Sequence, residues 1–267
     1  MLANYHTHTV RCRHAEGTER EYIEAAIASG YKTLGFSDHV PQSYPEGYVS
    51  PIRMAMSDLP DYTGTLSSLK EEYKDRIEIL IGYEVEYTEQ YFKPLVKELC
   101  RYPTDYMILG QHYVPDEING SYMGVPTGSE ERLKNYTKLV IEGMETGLFS
   151  YLAHPDLIHF IGSERVYVKY MTKIIEAAIE LGVPLEVNYY GFADGRHYPC
   201  DLFFGLASKM GAEFVVGCDA HEPAMVRDPM KDAAFLAFLE KNDIRIGDNI
   251  VKLPDFKAKA AAYLRKL

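Results

Sequence analysis

Cysteine is scarce in this chain of 267 residues. Cys12, Cys100, Cys200 and Cys218 are scattered with no CxxC pair. That spacing excludes a disulfide framework and reads as reduced thiols in a cytoplasmic protein. Long hydrophobic runs are missing too: none approaches the roughly 18 residues of a membrane span. The opening Met-Leu-Ala-Asn-Tyr-His has no charged region followed by an apolar one, so no signal peptide is expected. Positive charge is in deficit, with 28 Lys+Arg against 39 Asp+Glu and a net charge of −11. Such a balance argues against non-specific binding to nucleic acid or to anionic membranes. It leaves room for a locally cationic site, which a bound metal could supply. Glycine (20) and proline (14) are too few for a fibrous or low-complexity chain. Tryptophan is absent, against 22 tyrosines. With 46% hydrophobic and 25% charged residues, the composition is that of an ordinary folded globular protein.

Short apolar runs alternate with segments of helical period. The runs predict strands over Ala3 to His8, Thr33 to Ser37, Ile77 to Glu86, Tyr106 to His112, Tyr151 to His154, Pro184 to Asn188, Phe214 to Asp219 and Arg245 to Ile246. Thr18 and Glu21 form a capping box, followed by Ile23, Ala26 and Ile27 on one face and by Gly30 as a stop. A second helix starts at Ser129, with Leu133, Tyr136, Val140 and Met144 on one face and Gly147 behind it. Val166, Tyr170, Ile174, Ala178 and Leu181 repeat the pattern before Gly182, and Lys257 to Lys266 forms a last, basic-ended helix. Val40 to Leu66 and Met107 to Gly128 read as elaborated loops. Strand and helix in alternation imply a parallel sheet with crossover helices. With no linker or composition shift, residues 1–267 are expected to form one domain closing into a (β/α) barrel; an open doubly wound sheet is the competing arrangement.

The histidines are not scattered. There are nine. His6 and His8 are two apart on the first strand, so they share a face. His39, His112 and His154 end the second, fourth and fifth strands, and Glu84 lies near the end of the third. Asp219 and His221 end the seventh, again two apart. In parallel α/β folds the strand C-termini converge on one rim, where sites are built. Buried imidazoles and carboxylates packed there without counter-charge would be costly; divalent metals would resolve that cost.

His-Thr-His near the start, then Ser-Asp-His, Gly-Tyr-Glu-Val-Glu, Gly-Gln-His, Ala-His-Pro-Asp and Cys-Asp-Ala-His, in that order, resemble the polymerase-and-histidinol-phosphatase (PHP) superfamily. Chain length, Glu-Val-Asn (186 to 188) and Gly-Arg-His-Tyr-Pro (195 to 199) resemble its stand-alone histidinol-phosphate phosphatases. The resemblance implies a distorted (β/α)7 barrel with three divalent metal ions at the strand C-termini. It implies that His6, His8, Glu84 and Asp219 hold the first ion. Glu84 would bridge to a second, completed by His112 and His154, while His14, His39 and His221 would hold a third. His14 has a competing reading, because Arg11-Cys12-Arg13-His14 could instead be a basic loop on phosphate. Zinc, iron and manganese all suit mixed histidine and carboxylate ligands. Glu86, Asp38 and Asp156 are candidates to orient the ligands or to play ordinary structural roles.

The expected reaction is hydrolysis of a small-molecule phosphate monoester, L-histidinol phosphate. Water between two ions would ionise near neutral pH and attack phosphorus in line. His197, outside the ligand set, is the candidate acid for the leaving alkoxide. The resemblance also implies a phosphate-clamping arginine beyond His-Pro-Asp, for which Arg165 and Arg196 are the candidates. Tyr83, Tyr113, Tyr189, Tyr190 and Tyr198 either line a pocket for an imidazole ring or pack the rim. A protein-tyrosine phosphatase of the same superfamily is the alternative. A polymerase exonuclease module is disfavoured by the acidic charge, and a non-catalytic metal-binding protein by the intact site. Self-association into a homo-oligomer is compatible with the sequence.

Overall fold

The computed structural model describes residues 1–45 and 47–265. Four parallel strands, β1 (Ala3–Asn4), β2 (Thr33–His39), β3 (Glu78–Val85) and β4 (Tyr106–Leu109), pair in that order. A short antiparallel hairpin follows, β5 (Tyr113–Val114) with β6 (Ser121–Tyr122). Two more parallel strands, β7 (Leu185–Asn188) and β8 (Phe214–Gly217), pair with each other.

Single bridges join these pieces. Leu152 pairs with Leu109 of β4 on one side and with Leu185 of β7 on the other, and Thr7 beyond β1 pairs with Ala220 beyond β8. The backbone bonds are good: Ala153 N donates to Leu109 O at 2.8 Å, Glu186 N to Leu152 O at 2.9 Å and His8 N to Ala220 O at 2.9 Å. The parallel segments therefore close into a ring, which decides for the barrel against the open sheet. The expected strand at Arg245 to Ile246 does not form. By then the ring is complete, and the segment runs instead past the N-terminal ends of the strands.

Helices follow the strands as a parallel topology requires. They are α1 (Glu19–Ser29), α2 (Leu59–Tyr73), α3 (Glu89–Leu99), α4 (Glu130–Glu145), α5 (Glu164–Leu181), α6 (Tyr189–Ala193), α7 (Asp201–Met210), α8 (Ala233–Lys241) and α9 (Phe256–Arg265). The Thr18/Glu21 capping box is present, and Gly30 ends α1 at φ 95°, a conformation that costs glycine little. Ser129 caps α4, and Gly182 closes α5 at φ 64°. Of the expected faces, Leu181 is out in solvent and Val166 only half-buried. Lys266 of the expected last helix lies outside the described residues.

The expected loop from Val40 to Leu66 is half wrong. Helix α2 already begins at Leu59, with Pro60 in its first turn. Its polar residues hid it: Thr63, Ser67 and Ser68 hydroxyls donate to the carbonyls four residues back at 2.7, 2.6 and 3.0 Å. Likewise Met107 to Gly128 holds the end of β4 and the β5–β6 hairpin. No described helix is long and apolar enough to cross a membrane.

Inside the ring, Ala3, Tyr5, Leu80, Tyr106, Ile108, Tyr151, Ala153 and Val215 form a core of their own. Tyr106 reaches across it, its hydroxyl donating to Tyr5 O at 2.6 Å. Gly35 and Gly82 are required beside it, because a Cβ at either would collide with the tyrosine ring. At the strand N-termini Asn249 replaces the strand pairing that β1 and β8 lack. Its amide donates to Ala3 O at 2.9 Å and Val216 O at 2.7 Å, and its carbonyl accepts from Val216 N at 2.8 Å. Removing it leaves three buried backbone groups unpaired. Asn249→Ala is expected to lower stability by about 3 kcal/mol, read as a shift in a denaturant midpoint; a loss below about 0.5 kcal/mol would show that the ring closes without it.

Candidate metal centre

The strand ends deliver the histidines as their spacing predicts. In the β2–β3 register His39 lies directly opposite Glu84. His6 and His8 leave β1 on one face. His154 and Asp219 bend inward from left-handed backbone, at φ 29° and 50°, a conformation uncommon outside glycine and concentrated at functional sites.

Glu84 stands at the centre of the cluster. Its Oε2 lies 3.0 Å from His39 Nδ1 and 3.6 Å from both His6 Nε2 and His8 Nε2. Its Oε1 lies 2.7 Å from His154 Nε2 and 3.4 Å from His112 Nε2. The two oxygens thus face two different sets of imidazoles. Asp219 Oδ1 lies 3.0 Å from His8 Nε2 and 3.4 Å from His6 Nε2. His14, His39 and His221 gather beside them. All nine residues expected to bind metal therefore meet in one place.

Electrostatics there are strongly perturbed. Burial alone would raise the Glu84 carboxyl, but His112, His39 and His6 override it and hold it well below the usual carboxylate range. Burial likewise opposes ionisation of Asp219, and the imidazoles led by His6 overcome it. Burial and the neighbouring His8 push His221 down to about 3. His6 moves the other way: burial works against its proton, yet Glu186, Asp219 and Glu84 lift it to about 10.

The donor set fits divalent metal ions. His14 Nδ1 donates to Cys12 O at 2.8 Å and His221 Nδ1 to Asp219 O at 3.0 Å. Both carbonyls can only accept, so each ring presents an unprotonated Nε2. Those two nitrogens face one another at 3.0 Å, lone pair against lone pair, an arrangement that calls for a cation between them. His6 Nδ1 is bonded to Glu186 at 2.8 Å, and its buried Nε2 faces the cluster with no hydrogen-bond partner among the described residues. The compact groups His14/His39/His221, His6/Glu84/His154 and His6/His8/Asp219 each offer three ligand atoms, a mixture of imidazole and carboxylate suited to zinc, iron or manganese.

A cavity of about 400 Å³ opens over this cluster. Arg196 lines it together with Tyr190 and Tyr198. Its guanidinium stacks on the Tyr190 ring at 4.3 Å and donates to the Tyr190 and Tyr198 hydroxyls at 2.8 and 3.2 Å. Arg165 sits exposed in the first turn of α5, away from the cavity lining. His197 does not reach the cavity either. Its Nε2 is bonded to Leu157 O at 2.7 Å, its ring stacks on His159 at 4.1 Å, and it lines a separate cavity. Among the five tyrosines singled out by sequence, Tyr113, Tyr190 and Tyr198 line the cavity. Tyr83 is buried against Tyr62, and Tyr189 packs on Phe235.

The sequence profile of the PHP domain matches residues 4–190. The chain belongs to the PHP family. A Deinococcus radiodurans relative named "Probable histidinol-phosphatase" is 30% identical over 240 residues, covering 87% of this chain and 91% of its own. The Bacillus subtilis histidinol-phosphatase is 26% identical over 268 residues, covering 88% and 97%. In three dimensions the chain resembles the Lactococcus lactis histidinol phosphate phosphatase, a structure complexed with zinc, L-histidinol and phosphate. That match has a TM-score of 0.70 at 18% identity and covers 94% of this chain and 98% of the other. It establishes the fold.

Around the clustered histidines and carboxylates this PHP chain builds braces that sequence reading only partly found. Asp38 accepts from His39 N at 2.8 Å and from the Thr9 hydroxyl, and lies 3.5 Å from His8 Nδ1. Asp156 is committed elsewhere, accepting from Cys200 N at 2.7 Å at the start of α7; burial raises its carboxyl to about 6. Glu186, which the sequence places in the Glu-Val-Asn segment without assigning it a role, is fully buried and bonds three parts of the cluster. It bonds His6 Nδ1 at 2.8 Å, accepts from His154 N at 3.0 Å, and accepts at 2.9 Å from Asn188, whose amide also donates to Asp219 at 3.1 Å. Its sequence signals are its place in Glu-Val-Asn and its position two residues before a strand end, on the same face as Asn188.

Chelation should destabilise this PHP protein, because Glu84, Asp219 and Glu186 then face each other with only protons for compensation. At a free metal concentration a thousand times Kd, the bound form is expected to gain about 4 kcal/mol; equal melting temperatures with and without chelator would contradict this. Glu186→Gln, which keeps shape but frees the His6 tautomer, should weaken metal binding about 10–100-fold, measured by competition with a chromogenic chelator.

Proposed function

We propose that this protein is a metal-dependent phosphomonoesterase that hydrolyses L-histidinol phosphate to L-histidinol and phosphate. One observation carries the reading. The ligand cluster and the guanidinium of Arg196 open onto the same cavity, so a phosphate bridging them meets positive charge from both. The names of the relatives supply the substrate. We read residues 1–267 as one catalytic unit acting in the cytoplasm.

In this reading His6, His8, Glu84 and Asp219 hold one ion, Glu84, His112 and His154 a second, and His14, His39 and His221 a third. Such ions, as zinc, iron or manganese, supply Lewis-acid neutralisation of phosphate oxygens and ionisation of water at neutral pH. Arg196 binds the phosphate through its planar fork, pre-aligned by Tyr190 and Tyr198. Tyr113, Tyr122, Ile52 and Met225 also line the cavity, with Glu16 and Glu222, and receive the ring of the alcohol. In the reaction the oxygen of water bonds to phosphorus, the ester P–O bond breaks, and the proton that water gives up ends on the departing alkoxide. His197 does not deliver that proton, because its Nε2–H is spent on Leu157 O and its ring lies outside the cavity.

Phosphate release should be measured on metal-quantified protein with L-histidinol phosphate, p-nitrophenyl phosphate and a phosphotyrosyl peptide. The proposal expects fast turnover of the first only. Preference for the peptide would replace it with a tyrosine phosphatase of the same family. Arg196→Met is expected to lower kcat/KM about 10²-fold, the value of a charge-assisted bidentate contact. Arg165→Ala should leave it within about twofold.

A further inference from the structure

Arg53 lies in the segment between β2 and α2 and is 1% exposed, a rare environment for a guanidinium. Its Nη2 donates to Glu86 at 2.7 Å and its Nε to Glu117 at 2.6 Å, with Nη1 3.3 Å from Val40 O. Glu86 sits at the C-terminal end of β3. There it also accepts from Tyr113 N at 3.2 Å and lies 3.4 Å from His112 Nδ1. Glu117 belongs to the turn of the β5–β6 hairpin and accepts from the Tyr44 and Tyr48 hydroxyls at 3.0 and 2.9 Å. One buried cation thus ties three otherwise separate pieces: the segment after β2, the end of β3 and the hairpin. Its chain neighbour Ile52 lines the cavity, as does Tyr113, the chain neighbour of His112.

The burial is costly unless both carboxylates stay paired, since removing one partner of a buried ion pair leaves an uncompensated charge. Glu86 cannot turn towards solvent or towards the metal cluster without stranding Arg53, so it remains beside His112 Nδ1. A carboxylate there keeps the proton on Nδ1 and leaves Nε2 to face Glu84 Oε1. His112 Nδ1 is buried with no hydrogen-bond partner among the described groups, and the Glu86 carboxylate at 3.4 Å is the acceptor set beside it.

We propose that Arg53 is a positioning residue for metal binding: by fixing Glu86 it sets the tautomer and orientation of His112, and by fixing Glu117 it seats the cavity wall that carries Ile52 and Tyr113. The proposal rests on the reading that His112 is a metal ligand. The position most sensitive to Arg53 is therefore the ion shared by Glu84, His112 and His154.

The test measures metal content and competition affinity in Arg53→Lys, Glu86→Gln, Glu117→Gln and His112→Ala, with near-ultraviolet circular dichroism and thermal melts to confirm folding. Lysine keeps the charge but lacks the fork that spans two carboxylates. Arg53→Lys and Glu86→Gln are each expected to weaken one ion about 10–100-fold. Glu117→Gln should leave metal affinity unchanged and raise KM instead. Should Arg53→Lys fail to fold, Glu86→Gln and Glu117→Gln still separate the two arms. Full metal affinity in Glu86→Gln, or equal loss in Glu117→Gln, would overturn the proposal. Unaltered metal content in His112→Ala would instead overturn the ligand reading beneath it.

Discussion

Glu84 is 2% exposed and has the imidazoles of His6, His8, His39, His112 and His154 within 3.6 Å of its two oxygens. A carboxylate in that position, with Asp219 and Glu186 beside it, cannot be ionised in a dry interior without positive charge in its midst. Much of the architecture serves that requirement. Strand ends aim the imidazoles inward, and carbonyls and carboxylates behind them fix which nitrogen keeps its proton. The same logic explains why the second layer of the site is acidic. Glu186 bonds His6 Nδ1 at 2.8 Å, while Asp38 and Glu86 stand 3.5 and 3.4 Å from the Nδ1 atoms of His8 and His112; a proton held on an outer nitrogen would free the inner one.

What the sequence revealed and what it concealed divide along a physical line. The inner layer was legible because strand periodicity is two and parallel strands end on one rim: His6 with His8, and Asp219 with His221, declare a shared face by spacing alone. Helices with strong caps, such as the one opened by Thr18 and Glu21, were equally plain. Helix α2 was not, because its hydroxyl residues satisfy themselves against the preceding turn and look like loop. Single-residue bridges at Leu152, Thr7 and Ala220 carry no periodic signal, so closure of the ring came from geometry. Arg165 and Arg196 could not be told apart by position, since only the fold shows which one shares the cavity with the cluster.

The cavity wall is assembled from segments far apart in sequence. Ile52 comes from the stretch after β2, Tyr113 and Tyr122 from the hairpin after β4, Tyr190 from α6, and Arg196 and Tyr198 from the segment after it. Most of the cluster beneath stands at the ends of the ring's parallel strands and the wall on the segments that follow them, so the two are under separate structural control. Changes in the wall can reshape the cavity without disturbing the parallel strands of the ring.

The junction between the first and last strands of the ring has one further consequence. Between β1 and β8 the backbone contributes only the Thr7–Ala220 bridge. Elsewhere the edges are stitched by side chains, Asn249 at one end and Asn4, which accepts from Cys218 N at 2.9 Å, nearer the middle. His6 and His8 stand on one lip of this seam, Asp219 and His221 on the other. The two lips are separated by over two hundred residues of chain, so bringing them together is among the long loop closures of the fold. Any cation gripped by both lips is a clasp on the barrel's own opening, and assembling the reactive centre and locking the ring shut become one event.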